Sequence, residues 1–320
     1  MDDLLQSEGW ERFQRALGRK TERVDGVLAI EVPMPFGMTY LYSPRTTFPF
    51  RHCEEPERRR GNLTSTAQTL AERAGVIFWR AESGGQVSGV RCQVSEPRVM
   101  RRLVEPEWTW RTSLEGSDDE RLAAMHEKHR YNVRLAQRHG VAVRVAASAK
   151  LQAASAPDVE MFWSLLQETA RRQGIQTHPR SYYETMLTTL PDTKVYLAEH
   201  SAVPLAAAMV AYHGDTATYL HGGSSYEHRS LMAPHLLHWQ AMREAKAAGM
   251  RWYDWGGIES GVVSRESGGA RCDPHASAWS GMTRFKQGFG GEAVHHPATM
   301  DLVFRPNWYR LLSWLARVRG

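Results

Sequence analysis

The sequence contains few cysteines and no long apolar run, and both absences exclude classes of protein. Three cysteines among 320 residues, with no CxxC pair and no Cys/His cluster, exclude a disulfide framework and a zinc site of the usual spacing. The longest nearly apolar stretch, residues 203–212, is about half as long as a membrane-spanning helix. The first residues, Met-Asp-Asp-Leu-Leu, lack the basic start and apolar core of a signal peptide. We therefore expect a cytoplasmic protein without a structural metal, whose contact with a membrane is peripheral.

Lysine is scarce as well. The chain has 40 basic residues and a formal net charge of +5, which permits an anionic partner without requiring one. Only six of these basic residues are lysines, and the other 34 are arginines, whose planar guanidinium groups suit phosphates and carboxylates. A lysine kept in such a chain is a candidate for a role that needs a compact ammonium group. The six are Lys20, Lys128, Lys150, Lys194, Lys246 and Lys286.

The order of predicted elements is similar in the two halves of the chain. In each half a helix, antiparallel strands, a second helix and a further strand follow one another, and the second half includes helices over 158–173 and 234–248. Residues 70–79 and 245–253 both combine a small-residue helix end, a glycine and an aromatic strand. These features predict two copies of one α/β unit, each with a mixed sheet flanked by helices.

Such a unit is similar to the acetyltransferase (GNAT) fold, whose members bind coenzyme A through a loop of the pattern R/Q-x-x-G-x-G/A. Residues 137–142 and 265–270 both match this pattern. A phosphate-binding loop needs a strand before it and a helix after it, so that amides at the helix N-terminus face the phosphates. The first match follows a helix and precedes a strand, and no helix pattern follows the second. We therefore expect no coenzyme A and no other cofactor.

Four stretches, in the same order along the chain, resemble the FemABX family of peptidoglycan interpeptide aminoacyltransferases. Two of them contain specific motifs, Tyr-Leu-His-Gly-Gly-Ser through Trp-Tyr-Asp-Trp-Gly-Gly-Ile-Glu, and Thr-Arg-Phe-Lys-Gln-Gly-Phe-Gly-Gly. The four stretches are residues 5–14 with 40–45, 129–141, 219–259 and 283–291.

This resemblance implies two tandem GNAT-like domains, residues 1–145 completed by the C-terminal segment 298–320, and residues 146–297. It implies transfer of glycine, alanine or serine from an aminoacyl-tRNA to the side-chain amine of residue 3 in a peptidoglycan stem peptide. The precursor is UDP-MurNAc-pentapeptide or lipid II, and we expect the enzyme to be a monomer. No stretch of about sixty residues has heptad spacing, so the long helical arm of some members is not expected.

The transfer reaction requires a fixed donor or cation, because negative charge develops on the ester carbonyl when the amine attacks. Lys286 matches the family lysine associated with aminoacyl-tRNA. Phe285 matches its aromatic neighbour, which is suited to stacking on the terminal adenine. The alternatives are a solvated lysine at a strand end and a phenylalanine packed in the core.

Four residues match or flank the family positions that hold the precursor and its phosphates. Arg12 stands where the family has a lysine after the tryptophan of the first helix. Tyr182 keeps a family tyrosine, but the basic position before it falls on His178, with Arg180 nearby. The choice among these cations stays open, since each arginine also suits a solvated helix surface.

Two carboxylates have further roles in this resemblance. Glu82 aligns with a family aspartate at a strand end, where a carboxylate can orient the attacking ammonium or accept its proton. A strand-end charge that faces water is the alternative. Asp254 precedes paired glycines, where it either holds the turn through backbone amides or contacts substrate.

A long polar helix is predicted over residues 118–139. It places Arg130, Arg134 and Arg138 on one face, at intervals of four residues. Such a stripe suits tRNA phosphates, and the alternative is a solvated helix face.

Two other functions stay open on the sequence alone. An acetyltransferase that uses acyl-coenzyme A has the same fold, although neither match to its phosphate loop precedes a helix. A non-catalytic RNA-binding protein of the same fold is the second, and it is favoured if Lys286 points away from any cleft.

Overall fold

The structure is a computed structural model, and it describes most of the chain. The described residues are 3–46, 69, 73, 75–82, 98–99, 105–148, 156–259, 278–297 and 299–318. Within them, the strands are β1 (Thr21–Val24), β2 (Val27–Pro33), β3 (Thr39–Ser43), β4 (Val76–Glu82), β5 (Arg98–Val99), β6 (Trp108–Ser113), β7 (Ala142–Ser148), β8 (Thr193–His200), β9 (Val203–His213), β10 (Thr216–Ser224), β11 (Trp252–Gly257), β12 (Glu292–His295) and β13 (Thr299–Val303). The helices there are α1 (Glu8–Ala16), α2 (Asp118–Ala124), α3 (Glu127–Arg138), α4 (Ala156–Gln173), α5 (Arg180–Thr189), α6 (Ala233–Ala247), α7 (Ala278–Gln287) and α8 (Pro306–Val318).

These elements form two compact units with one sheet each. The first unit comprises Asp3–Glu107 and His296–Gly320, and the second comprises Trp108–His295. The strand order is β1-β2-β3-β4-β13-β5 in the first sheet and β12-β6-β11-β10-β9-β8-β7 in the second.

Both sheets repeat one pattern of pairing. In the first, β1, β2 and β3 are antiparallel neighbours, β3 and β4 are parallel, and β4 is antiparallel to β13. In the second, β8, β9 and β10 are antiparallel neighbours, β10 and β11 are parallel, and β11 is antiparallel to β6. A parallel pair needs a crossover connection, which α6 provides between β10 and β11. The prediction of a repeated, mixed α/β unit is confirmed.

The boundary between the units differs from the predicted one. We predicted that the first domain extends to residue 145, but the second unit begins at Trp108. Strand β6 pairs with β11 and β12 of the second sheet, and α3 packs on α6 through a buried cluster that includes Val133, Ala136 and Leu237. The predicted boundary was wrong because a local pattern identifies a strand without identifying the sheet that it joins.

The C-terminal segment belongs to the first unit. Strand β13 lies between β4 and β5, and α8 packs on β4. Arg80 on β4 donates hydrogen bonds of 2.8 and 2.9 Å to the fully buried carboxylate of Asp301 on β13. The Tyr309 hydroxyl on α8 donates to the same carboxylate at 2.9 Å. One buried, charge-paired carboxylate therefore joins three elements of this unit.

The helix predicted over residues 118–139 is divided into α2 and α3. Met125, between them, has an extended backbone with ψ of 152°. The Arg130 guanidinium donates to the carbonyl oxygens of Leu122, Ala123 and Met125 at 2.8 to 3.3 Å. Arg130 therefore satisfies carbonyl groups that the end of α2 leaves free, which does not favour its predicted contact with tRNA.

The helices of the described residues are short. The longest is α4, with 18 residues, and none is both long and apolar enough to cross a bilayer. The prediction that the chain has no long helical arm is confirmed for the part of the chain that the structure describes.

Candidate active site

The parallel strands β10 and β11 separate partway along their length. They pair from Thr216 opposite Trp252 to Thr218 opposite Asp254. Beyond this point β10 stays paired with β9, whereas Gly257 of β11 pairs with β6. Strands that part in this way leave backbone donors and acceptors available to other groups, because each strand loses a neighbour there.

Asp254 shapes the bend of β11 at this parting. Its carboxylate accepts a 2.7 Å hydrogen bond from the amide of Gly256. Gly256 has φ of +70°, in the left-handed region that favours glycine. This geometry favours the interpretation in which Asp254 holds the turn.

Lys286 reaches the same bend from α7. Its Nζ donates a 2.6 Å hydrogen bond to the carbonyl oxygen of Gly257. Burial lowers the pKa of Lys286 to about 8, and the negative charge of Asp254 opposes this shift. Lys286 is therefore a partly buried cation at neutral pH. It lies on a helix, so the alternative of a solvated lysine at a strand end was wrong.

His238 is a buried histidine close to Lys286. Its Nδ1 lies 3.0 Å from the hydroxyl oxygen of Tyr253. Burial lowers the pKa of His238 to about 3, and the charges of His235 and Lys286 act in the same direction. His238 is therefore neutral at pH 7. Sequence reasoning missed it, because a histidine among the buried apolar residues of α6 has no pattern that distinguishes it from a core residue.

Phe285 belongs to a cluster of aromatic and histidine rings. Its centroid lies between 5.2 and 6.2 Å from five neighbouring centroids. The neighbours are His129, His235, His238, Trp255 and Phe289. Contacts on this many sides favour core packing over a face open to adenine. Although three of these neighbours are histidines, no group of His, Cys, Asp or Glu among the described residues is arranged to hold a metal ion.

His129 joins α3 to the helix that carries Lys286. Its Nε2 lies 3.0 Å from the carbonyl oxygen of Phe285, and Nε2 must carry the proton because a carbonyl only accepts. Burial lowers the pKa of His129, against the effect of that hydrogen bond. A Cβ at Gly288 would lie 2.1 Å from the His129 ring, so a glycine is needed for this approach. Local sequence patterns do not reveal the contact between His129 and Phe285, because these two residues are 156 positions apart along the chain.

A second group of rings surrounds His178. The rings of His178 and Tyr182 stack, with centroids 3.9 Å apart and planes at 17°. His221 on β10 lies 6.1 Å from Tyr182 and 6.5 Å from His178, centroid to centroid. Burial lowers the pKa of His221 to about 4, and the charge of His178 adds to this shift. The structure thus brings the predicted residues His178 and Tyr182 together and adds His221 to the group. In the sequence, only the position of His221 within the Tyr-Leu-His-Gly-Gly motif could have indicated it.

The predicted arginines of the second unit differ in their availability. Arg180 forms ion pairs with Glu184, at 2.7 Å, and with Glu160. Its guanidinium is therefore already engaged by carboxylates, which does not favour a phosphate contact. Arg134 and Arg138 are exposed on α3, where either a phosphate or water can bind them.

Arg12 and Glu82 belong to the first unit. Arg12 is exposed on α1. Glu82 is the last residue of β4, and its backbone pairs with Thr299. The Glu82 side chain lies outside the part of the chain that the structure describes, so its role stays a prediction.

Comparisons with known proteins identify relatives of the chain. A model of the FemAB family matches residues 96–199 and 193–317. The lipid II:glycine glycyltransferase of Staphylococcus epidermidis is 19% identical over 280 residues, which cover 67% of this chain and 62% of that protein. The chain thus spans about three fifths of the length of the curated relatives it matches.

Solved structures share the fold. The crystal structure of FemX matches with a TM-score of 0.74 and 17% identity, over 97% of this chain and 94% of that chain. The structure of L-PGS from Bacillus licheniformis matches with a TM-score of 0.55 and 12% identity, over 95% of this chain and 90% of that chain. The likeness to FemX extends over nearly the whole chain, and the predicted fold is confirmed.

Proposed function

Because the chain belongs to the FemAB family, we propose that it is an aminoacyltransferase that adds an amino acid to a peptidoglycan precursor. A relative carries the name lipid II:glycine glycyltransferase. The fold that the chain shares with FemX is consistent with this class of reaction. The observation that carries the proposal is the position of Lys286, a partly buried cation at the parting of β10 and β11.

The proposed donor is an aminoacyl-tRNA, and the proposed acceptor is the side-chain amine of residue 3 in the stem peptide. The neutral amine nitrogen attacks the ester carbonyl carbon, and a tetrahedral oxyanion forms. The ester C–O bond then breaks as the amide is completed. The nitrogen gives up one proton and the ribose oxygen of the tRNA takes one, so the step is balanced without an added cofactor.

Lys286 stabilises the oxyanion in this proposal. An ammonium group that is partly removed from water interacts more strongly with developing negative charge than a solvated one does. The hydrogen bond to the Gly257 carbonyl restricts the position of Nζ before a substrate binds. Removal of a single oxyanion donor typically costs about 2.7–4 kcal/mol of transition-state stabilisation.

The precursor is proposed to be held by residues of the family motifs. His178 and Tyr182 offer a stacked pair of rings and, when the imidazole is protonated, a positive charge for a phosphate. Arg12 supplies a further cation for the diphosphate. Glu82 orients the attacking amine and accepts its proton, which the chemistry requires because only a neutral amine is nucleophilic. We place this reaction in the cytoplasm.

Mass spectrometry of the acceptor tests the proposed function. The purified protein is incubated with a mixture of charged tRNAs and either UDP-MurNAc-pentapeptide or lipid II. We expect the acceptor to gain the mass of one glycine, alanine or serine residue, and only with charged tRNA present. The variant Lys286→Met should lose this gain, whereas Lys20→Ala, whose parent side chain is 82% exposed, should keep it.

Two results contradict the proposal and point elsewhere. Transfer of an acetyl group from acetyl-coenzyme A to the acceptor would identify an acetyltransferase. Binding of tRNA without any gain in the mass of either precursor would identify a non-catalytic RNA-binding protein.

A further inference from the structure

The first unit exposes an apolar surface that the proposed reaction does not use. The side chains of Phe36, Leu311 and Trp314 are 69%, 43% and 58% exposed. Leu311 and Trp314 lie on α8, and the ring of Phe36 lies 6.1 Å from the ring of Trp308 at the start of that helix. We call Phe36, Trp308, Leu311 and Trp314 the aromatic patch.

The opposite side of α8 is committed to the core of the unit. Tyr309 and Leu312 are buried in a cluster with Phe78 of β4. A helix turns by about 100° per residue, so the position of Leu311 lies beside this buried face. The position of Trp314 lies beyond that of Leu311, farther from the buried face. The apolar surface of α8 is therefore wider than its contact with the sheet requires.

The two sequence segments that carry the aromatic patch contain no acidic residue. Residues 302–320 include four arginines and no aspartate or glutamate, and residues 32–41 around Phe36 carry no charged side chain. Arg310 is exposed, and its helical position comes directly after that of Trp314 around α8. A cation thus borders the apolar flank, an arrangement that complements an anionic surface.

Phe36 is presented by a constrained turn. It lies between Pro35 and Gly37 in a 3-10 turn, and its φ is +64°. Bulky residues rarely adopt this left-handed conformation, which is found mostly where it serves a function. An exposed phenylalanine held in this way is not explained by packing within the unit.

We propose that the aromatic patch docks the protein on the surface of an anionic phospholipid bilayer. Tryptophan and phenylalanine prefer the headgroup region, Leu311 reaches the acyl boundary, and the arginines of α8 attract lipid phosphates. A second copy of the chain fits less well, because a two-fold contact would bring the arginines of both copies together without carboxylates to pair with them. The docking is separate from amino-acid transfer and does not depend on it.

Sedimentation with vesicles tests the docking. The full-length protein is pelleted with vesicles of phosphatidylcholine alone and with vesicles that contain phosphatidylglycerol, without tRNA or precursor. We expect partition to the anionic vesicles to be at least about tenfold stronger, and to weaken with salt. The triple variant Phe36→Ser/Leu311→Ser/Trp314→Ser should lose at least about tenfold in partition. The matched control, Tyr131→Ser/Ile175→Ser/Tyr226→Ser, replaces three exposed apolar side chains of the second unit and should bind like the parent.

Several outcomes overturn the docking proposal. They are the absence of binding to anionic vesicles, equal binding by the triple variant, and concentration-dependent dimerisation that the triple variant abolishes. Loss of tRNA binding in the triple variant, with vesicle binding retained, would assign the patch to RNA instead.

A fluorescence measurement keeps the test decisive if the triple variant does not fold. Vesicles with bromine-labelled phosphatidylglycerol quench tryptophans that enter the headgroup region. Trp314→Phe keeps an aromatic ring on α8 and should still bind anionic vesicles. The fraction of its tryptophan fluorescence that the vesicles quench should be smaller than in the parent protein. Equal fractional quenching of the two proteins would contradict insertion of Trp314.

Discussion

The ammonium nitrogen of Lys286 lies 2.6 Å from the carbonyl oxygen of Gly257. This hydrogen bond connects the last turn of α7 to the bent end of β11, and it fixes a cation where β10 and β11 part. The same bend is held from the other side by Asp254, through the amide of Gly256. A charge positioned in this way is ready for a developing oxyanion without reorganisation.

The rate of transfer should fall as the pH rises through the pKa of Lys286. The pKa is lowered to about 8 by burial, so the ammonium form is present below this pH and is lost above it. Lys286→Met should reduce kcat by about tenfold or more and should remove this limb of the pH profile. Lys286→Arg should stay impaired, since its fork does not replace a compact ammonium group. A descending limb near pH 8 that persists in Lys286→Met would contradict this assignment.

His129 should act as a positioning residue for Lys286. Its hydrogen bond holds the carbonyl of Phe285, next to Lys286 in α7. We expect His129→Ala to lower kcat while the KM for aminoacyl-tRNA stays nearly constant, because the charge is displaced and no substrate contact is removed. His139→Ala, at an exposed position after the same helix, is the control.

The fit between His129 and Gly288 can be tested by a double-mutant cycle. Gly288→Ala places a Cβ 2.1 Å from the His129 ring and should therefore destabilise the protein. In the double variant His129→Ala/Gly288→Ala the ring is gone, so part of the lost free energy of unfolding should return. Strictly additive effects in urea unfolding would show that the two positions are not coupled.

Asp301 should be essential to the stability of the first unit. Asp301→Ala leaves the Arg80 guanidinium without its buried partner and should lower the free energy of unfolding by about 3–5 kcal/mol. For comparison, Arg251→Met removes an ion pair to Glu115 in which both side chains are at least 60% exposed, and it should cost at most about 1 kcal/mol. Urea unfolding of both variants checks this difference, and similar losses would contradict it.

Arg134 and Arg138 should determine the salt dependence of tRNA binding. If both contact phosphates, replacing them with serine should raise the KM for aminoacyl-tRNA. It should also reduce the slope of log K against log salt by about 1.4–1.8. Arg130→Ser should lower the melting temperature instead, because Arg130 binds carbonyl groups at the end of α2. An unchanged slope would mean that Arg134 and Arg138 are only solvated surface.

Local sequence patterns predicted those helices that have a periodic apolar face and a glycine just after their last turn. The helices predicted over residues 158–173 and 234–248 are α4, Ala156–Gln173, and α6, Ala233–Ala247. Each is followed within two residues by a glycine, Gly174 or Gly249, which terminates a helix through its own backbone freedom. The repeat of one mixed unit was visible for the same reason, because the order of elements is a property of the chain itself.

The sequence alone determined the repeated unit, the resemblance to a family and the motif that contains Lys286. Only the tertiary structure decided that Lys286 lies on a helix, that Gly257 is its partner, and that His129 binds the carbonyl of the preceding residue, Phe285. It also moved the boundary between the units to Trp108. The physical reason is common to all of these. Periodicity reports which face of an element is apolar, whereas strand neighbours, buried hydrogen bonds and burial-shifted pKa values depend on residues far away along the chain.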